Sequence, residues 1–179
     1  MNREQFEHVI RSAAAIVEDE LVVIGSQAVL AQYPDAPETL LKSAEVDVFP
    51  RNDPARSEEI DGAIGDGSRF HQTYAYYAHG VGPESVVAPA GWEGRLVQVE
   101  VPAAGHKDRT VTAWCLEVHD LVLAKLAAGR PHDRDFVEEA IRAGLVDTDR
   151  LRLGVDLLAV SHRESVRERL TGLIAQAGE

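Results

Sequence analysis

The stretch Ser43-Ala-Glu-Val-Asp-Val-Phe49 decides how this chain is interpreted. Its alternation of apolar and acidic residues predicts a β-strand over residues 44–49, with Glu45 and Asp47 pointing to the same side. Two carboxylates on one face of a buried strand repel each other and lose hydration unless a cation lies between them. The pair therefore predicts a site for Mg²⁺ or Mn²⁺. The competing interpretation is an edge strand whose acids lie in water while its valines face the core.

A second motif precedes this strand. Leu21-Val-Val-Ile24 predicts a short buried strand, and Gly25-Ser26 leads into a predicted helix over residues 26–32. Backbone N–H groups at a helix N-terminus, beside a hydroxyl, can bind phosphate. Alone, Gly-Ser is more often a tight turn whose serine caps the helix. Together with the acidic pair, Gly25 and Ser26 are predicted to bind the phosphates of a nucleotide.

The remaining pattern predicts an α/β (α+β) chain. An amphipathic helix is expected over residues 4–18, and a short polar helix, with Asp53 as a plausible cap, ends at Ile64. Further strands are predicted at residues 71–78, 95–101 and 111–115. Further helices are predicted at about 117–128, 132–143, 149–159 and 162–175, with Gly129 and Pro131 between the first two. Ser161 and Glu164 form a predicted capping box for the last.

These elements predict two parts, an α/β core over residues 1–116 and a helical C-terminal part over residues 117–179. The second part is expected to pack on the core, so that the chain forms a single compact domain of 179 residues.

The two motifs resemble those of the nucleotidyltransferase superfamily with the polymerase-β-like fold, in which Gly-Ser, a helix and an acidic-x-acidic strand follow one another. The segment from Leu116 to Phe136 is similar to the one that follows the core in small bacterial nucleotidyltransferase-like proteins. Some of those relatives are toxins of toxin–antitoxin or abortive-infection systems. The resemblance implies a small mixed sheet with flanking helices, a triphosphate held at Gly25 and Ser26, and three carboxylates holding two metal ions.

The third carboxylate is expected on a neighbouring strand, and Glu100 is the candidate. In the strand over residues 95–101, Gln98 and Glu100 share the face opposite the valines. A solvated position is the competing interpretation for Glu100. If Gln98 takes the third position instead, the site lacks a charge and a base.

Four residues of the C-terminal part are assigned roles. Lys125 lies in an apolar helix, and the resemblance implies that its ammonium pairs with a β- or γ-phosphate; the alternative is a stem that snorkels to water. Arg130 could add a bidentate phosphate contact, or could only favour the helix dipole. Asp133 and Asp135 are predicted to position these cations, although acids are favoured in the first turn of any helix.

Composition excludes several classes. The formal net charge of −12 opposes broad binding of duplex DNA, although a local cleft could hold an RNA end. No apolar run is long enough to span a membrane, and no export signal is visible. Cys115 is the single cysteine and is expected to be a core residue. A cytoplasmic location is therefore predicted.

Two functional hypotheses follow. The first is a metal-dependent nucleotidyltransferase that moves a nucleoside monophosphate from a nucleoside triphosphate to a hydroxyl of RNA, protein or a small molecule. A toxin–antitoxin or phage-defence role, with an antitoxin or another protein as partner, follows from the resemblance. The second is a catalytically degenerate binding or regulatory subunit, because the Ser26–Glu45 gap is long and no third acid is obvious.

Overall fold

A computed structural model describes residues 1–105 and 108–177. The helices of the first two-thirds of the chain are α1 (Arg3–Val17), α2 (Ser57–Ile64) and α3 (Arg69–Tyr74). The strands are β1 (Leu21–Val23), β2 (Glu45–Pro50), β3 (Tyr77–Gly80), β4 (Val97–Pro102) and β5 (Thr110–Cys115). The last third is helical, with α4 (Val118–Ala128), α5 (Pro131–Arg142), α6 (Thr148–Val155) and α7 (Val160–Ala177).

The strands form one mixed sheet in the order β3-β2-β1-β5-β4. β1 pairs antiparallel with β2 and parallel with β5, β2 pairs parallel with β3, and β4 pairs antiparallel with β5. The predicted fold class is confirmed: a small mixed α/β sheet with flanking helices and a helical C-terminal part.

The chain divides into two compact units. The first unit comprises residues 1–85 and 96–116, and the second comprises residues 86–95 and 117–179. The sheet, α1, α2 and α3 belong to the first unit, while α4 to α7 belong to the second. Along the described residues, no helix is both long enough and apolar enough to cross a membrane.

One face of the sheet builds the core of the first unit. Val46 and Val48 of β2 are fully buried, and α1 packs against the strands with the apolar face that its spacing predicts. Asn2 begins α1 through a capping box with Gln5, which satisfies two otherwise free N–H groups. Cys115 is also fully buried, and burial raises the pKa of its thiol to about 12, so the thiol is a core group.

The predicted strand over residues 71–78 is wrong for most of its length. Residues 69–74 form α3, because Ser68 accepts a hydrogen bond from the His71 N–H as a helix cap. The rings of Phe70 and Tyr74 both contact the ring of His8, with centroids 5.0 and 4.6 Å away, and helical spacing places both on that side. Ala75 then adopts a left-handed conformation (φ 61°) that ends the helix.

Other boundaries also differ from the sequence predictions. The predicted helix over residues 26–32 is a six-residue 3₁₀ helix, Ser26–Ala31. Asp53 precedes another 3₁₀ turn, Pro54–Arg56, without a side-chain cap bond. The last helix begins at Val160, so Ser161 is inside it and does not cap it. The predicted stop at Gly129 and restart at Pro131 are confirmed.

Candidate functional site

The acidic pair lies on an interior strand of the sheet. β2 has β1 on one side and β3 on the other, so the edge position in the competing interpretation is wrong, although its valines do face the core. Glu45 and Asp47 are partly exposed and alternate with the buried Val46 and Val48. Both carboxylates therefore lie on the face opposite the core, as the alternation predicts.

The neighbouring strand β3 contributes one hydrogen-bonding side chain to each acid. In the parallel register Glu45 is opposite Tyr77, and Asp47 is opposite His79. The Tyr77 hydroxyl donates to Glu45 Oε2 at 3.0 Å. His79 Nδ1 lies 2.8 Å from Asp47 Oδ1, and since a carboxylate only accepts, the nitrogen is the donor. Each bond engages one oxygen of its acid.

Tyr77 is a permanent donor in this arrangement. Burial first, and then its hydrogen bond to Glu45 and the nearby carboxylates, raise the pKa of its hydroxyl to about 12. The hydroxyl therefore keeps its proton throughout the physiological range. The Tyr77 ring also packs against the ring of His71, with centroids 4.5 Å apart.

The Gly25-Ser26 turn lies directly against Asp47. A Cβ atom placed on Gly25 would be only 2.0 Å from Asp47 Oδ2, so only glycine admits the carboxylate there. The main chains are also joined, because the Ile24 N–H donates to the Asp47 carbonyl at 3.1 Å. Within the described residues, the N–H groups of Ser26 and Gln27 make no hydrogen bond. The structure thus brings Gly25, Ser26 and Asp47 together, with two free donors beside an acid.

Glu100 is not brought to this pair. It lies on β4, with β5 and β1 between β4 and β2. At about 4.8 Å per strand, that separation is roughly 14 Å. Gln98 lies on the same distant strand, so it does not take the third position either. Across residues 1–105 and 108–177, no three His, Cys, Asp or Glu side chains form a group that could hold a metal ion.

In the second unit, Lys125 forms a buried ion pair. Its Nζ donates to Asp133 Oδ1 at 2.9 Å, and the two side chains are 10% and 5% exposed. The ammonium also lies 4.6 Å from the centre of the Phe136 ring. Asp133 Oδ2 is buried without a hydrogen-bond partner among the described residues. Asp133 therefore contacts Lys125 directly, and its role in positioning that ammonium for a phosphate stays a prediction.

Arg130 and Asp135 are on the surface of the same unit. The Arg130 side chain is 68% exposed, and its Nε is 4.0 Å from Asp133 Oδ2. Lys125, Arg130, Arg134 and Asp135 contribute to the lining of one cavity of about 680 Å³. The structure therefore gathers three of the four predicted C-terminal residues around one cavity, with Asp133 behind Lys125.

Comparison with known proteins identifies the family. A family model described as "Nucleotidyltransferase of unknown function (DUF6036)" matches residues 4–170. The chain belongs to this nucleotidyltransferase family. The match covers nearly the whole of the described chain and confirms the resemblance seen in its motifs. No curated protein and no solved structure matches the chain.

Sequence reasoning missed two residues that contact the acidic pair, Tyr77 and His79. Tyr77 lies inside the predicted strand over residues 71–78, and His79 lies just beyond its end. A usable signal existed, because Tyr77-Ala-His79 repeats the spacing of Glu45-Val-Asp47. Only the strand register shows that the two pairs are opposite each other.

Proposed function

We propose that this protein is a metal-dependent nucleotidyltransferase that moves a nucleoside monophosphate from a nucleoside triphosphate to a hydroxyl acceptor. The observation that carries the proposal is the contact between the Gly25 main chain and Asp47 on an interior strand. That contact joins the predicted phosphate-binding turn to the predicted metal-binding acids.

The donor set fits a single Mg²⁺ or Mn²⁺. Glu45 Oε1 and Asp47 Oδ2 have no hydrogen-bond partner among the described residues, and both side chains are partly exposed. Protein sites often hold Mg²⁺ through one or two carboxylates and leave the other positions to water and substrate phosphates. Such an ion, when bound, supplies Lewis-acid stabilisation of charge on a phosphoryl oxygen.

The turn supplies donors for the phosphates of a nucleotide. The free N–H groups of Ser26 and Gln27, with the Ser26 hydroxyl, suit phosphate oxygens. Arg130 is the predicted cation whose donors face water, whereas the Lys125 ammonium is bound to Asp133. The cavity lined by Lys125, Arg130 and Arg134 also has Asp135, Glu138 and Glu168 in its wall, so the phosphate roles of Lys125 and Arg130 rest on the resemblance.

The acceptor class follows from charge and from the resemblance in the Leu116–Phe136 segment. With a net charge of −12, a long nucleic acid would meet repulsion over most of the surface. An RNA end, a protein hydroxyl or a small molecule remains compatible with one local site. The resemblance to toxin-type relatives supports a toxin–antitoxin or phage-defence role with a protein partner.

One observation favours a second candidate, a degenerate nucleotidyltransferase-like binding subunit. The described residues supply no third acid at the Glu45–Asp47 pair. Such a subunit would bind a nucleotide without transferring it.

Transfer of label from each α-labelled nucleoside triphosphate, with Mg²⁺ or Mn²⁺ and with cell extract as the acceptor source, tests the proposal. Equilibrium binding of the same nucleotides is measured in parallel. We expect transfer by the wild type and none by Asp47→Ala, while Glu100→Ala retains it. Binding without transfer would select the degenerate subunit, and retained transfer in Asp47→Ala would contradict the metal site.

A further inference from the structure

The β2–β3 pairing fixes how the two acids present their oxygens. Because the strands are parallel and in register, the side chains of Tyr77 and His79 leave the sheet on the same face as Glu45 and Asp47. Two hydrogen bonds of 3.0 and 2.8 Å result, one to each acid. The acids are therefore held from the same side by a matched pair of donors.

Each hydrogen bond engages one oxygen of its carboxylate and leaves the second oxygen able to bind a ligand. Glu45 uses Oε2 and Asp47 uses Oδ1, so Oε1 and Oδ2 remain available. A glutamate on a half-exposed strand otherwise samples several rotamers, and ordering it costs free energy when a ligand binds. Donors that hold the carboxylates in advance remove that cost, in the way that outer partners orient metal ligands generally.

The position of β3 is itself fixed by packing. Gly80 follows His79, and a Cβ atom there would lie 2.1 Å from the carbonyl oxygen of Ser57 in α2. The main chain of β3 thus abuts α2 at the residue after the histidine. His79 is opposite Asp47 because both neighbours of β3, strand β2 and helix α2, hold the strand in that register.

We propose that Tyr77 and His79 are positioning residues that hold Glu45 and Asp47 for one divalent cation, and that His79 stands opposite Asp47 at the position on β3 where a third acidic ligand would adjoin the pair. The inference rests on the proposed function, since it assumes that the acids bind a cation. It adds that β3 sets both the orientation of the acids and the number of ions. With two acids only, the site binds one ion.

Mn²⁺ binding to the full chain, measured by the loss of the free-ion signal in electron paramagnetic resonance, tests the positioning role without any turnover. We expect one Mn²⁺ per chain for the wild type. Tyr77→Phe and His79→Ala should each weaken Mn²⁺ binding by about 10-fold or more, as loss of outer partners does at other metal sites. Glu100→Ala is the matched control and should bind Mn²⁺ as the wild type does.

Two further substitutions distinguish a positioning role of His79 from a role in folding. His79→Asn places an amide N–H at the position of Nδ1, three bonds from Cα, and should restore wild-type Mn²⁺ affinity. His79→Asp places a third carboxylate beside Asp47, which should destabilise the metal-free protein and raise the number of bound Mn²⁺ from one to two. A role of His79 in folding alone predicts neither result.

The outcomes distinguish the inference from the function on which it rests. Wild-type protein that binds no Mn²⁺ would contradict the cation site and with it the proposed function. Wild-type binding that is unchanged in both Tyr77→Phe and His79→Ala would overturn the positioning role alone. A His79→Asp protein that still binds one ion would overturn the claim that His79 stands where a third acidic ligand would adjoin the pair.

Discussion

Glu45 and Asp47 of the first unit differ from Asp133 of the second unit in burial and in the kind of partner that binds them. In the first unit, Glu45 and Asp47 are partly exposed and each is bound by a tyrosine hydroxyl or a histidine nitrogen. In the second unit, Asp133 is 4% exposed and its partner is the ammonium of Lys125. One pair of acids keeps oxygens available, whereas the other acid is neutralised by a cation within its own unit.

At the start of α4, Glu117 also finds its partners within the second unit. Glu117 accepts from the backbone N–H of His119 and from its Nδ1, at 2.9 and 2.8 Å. His119 Nε2 in turn accepts the Asp147 N–H at 2.9 Å, which fixes the ring between two partners. These buried groups satisfy one another and stabilise the helices. Both oxygens of Glu117 are engaged within its unit, whereas Glu45 and Asp47 each keep one oxygen that makes no hydrogen bond among the described residues.

Removing the Lys125 ammonium should have the largest effect on stability. Lys125→Met keeps the apolar stem but removes the cation that donates to the buried Asp133, so the free energy of unfolding should fall by about 3–5 kcal/mol. Urea unfolding monitored by circular dichroism measures the loss. The double substitution Lys125→Met with Asp133→Leu should recover most of it, because no buried charge then remains.

Arg142→Met is the control for this substitution. Arg142 also bonds an acid, Glu138, but its side chain is 54% exposed, so its loss should leave unfolding unchanged. An unfolding curve for Lys125→Met that matches the wild type would show that the buried pair does not stabilise the second unit.

Gly25 offers a smaller and more local change in the first unit. Gly25→Ala places a methyl group 2.0 Å from Asp47 Oδ2, so the carboxylate must move. The backbone itself tolerates alanine, because the φ angle of Gly25 is an ordinary −82°. We expect Mn²⁺ affinity to fall by about 10- to 100-fold, the range seen when ligand orientation is lost. Calorimetric titration with Mn²⁺ measures the change.

Gly62 provides the matched glycine. It lies inside α2 with nothing within 4 Å of an added Cβ, so Gly62→Ala should stabilise the protein by about 0.5–1 kcal/mol and leave Mn²⁺ binding intact. Equal Mn²⁺ affinity in Gly25→Ala and the wild type would refute the proposed contact between the turn and the acid.

The smallest expected effect concerns pH and Glu117. Burial opposes ionisation of Glu117, but its hydrogen bonds from His119 and nearby positive charge hold the pKa below the ordinary 4.5. A lowered pKa stabilises the fold above pH 4.5, and that stability is lost as the pH falls through the folded value. Glu117→Gln should therefore be less stable than the wild type at pH 7, by about 1 kcal/mol.

The difference between Glu117→Gln and the wild type should shrink as the pH falls below 4.5. Urea unfolding at neutral and acidic pH measures it. A difference that is equal at both pH values would mean that ionised Glu117 gains nothing from its partners.

Local sequence pattern predicted the elements and faces that depend on near neighbours. The spacing of Phe6, Val9 and Ile10 predicted α1, and the alternation in β2 predicted that Glu45 and Asp47 share a face. It also predicted the break at Gly129 and Pro131, because both residues restrict the backbone directly. The family resemblance rested on these same motifs.

Long-range pairing could not be predicted in this way. Glu100 shares the alternation of a metal-binding strand, but the order of the sheet places β4 three strands from β2. The β2–β3 register places Tyr77 and His79 opposite the two acids, and that register depends on packing of β3 against α2. The helix α3 replaced a predicted strand because its aromatic residues contact His8 in α1, which is distant in sequence.

Thermal stabilisation by nucleoside triphosphate and Mg²⁺ tests the central claim most directly, namely that the acids of the first unit bind a metal–nucleotide complex. The proteins compared are the wild type, Asp47→Asn and Glu100→Gln. Ligand at about 100 times its Kd should add roughly 2.7 kcal/mol of stability. The account predicts a Mg²⁺-dependent shift that disappears in Asp47→Asn and persists in Glu100→Gln. No shift in the wild type with any nucleotide, or an equal shift in Asp47→Asn, would contradict it.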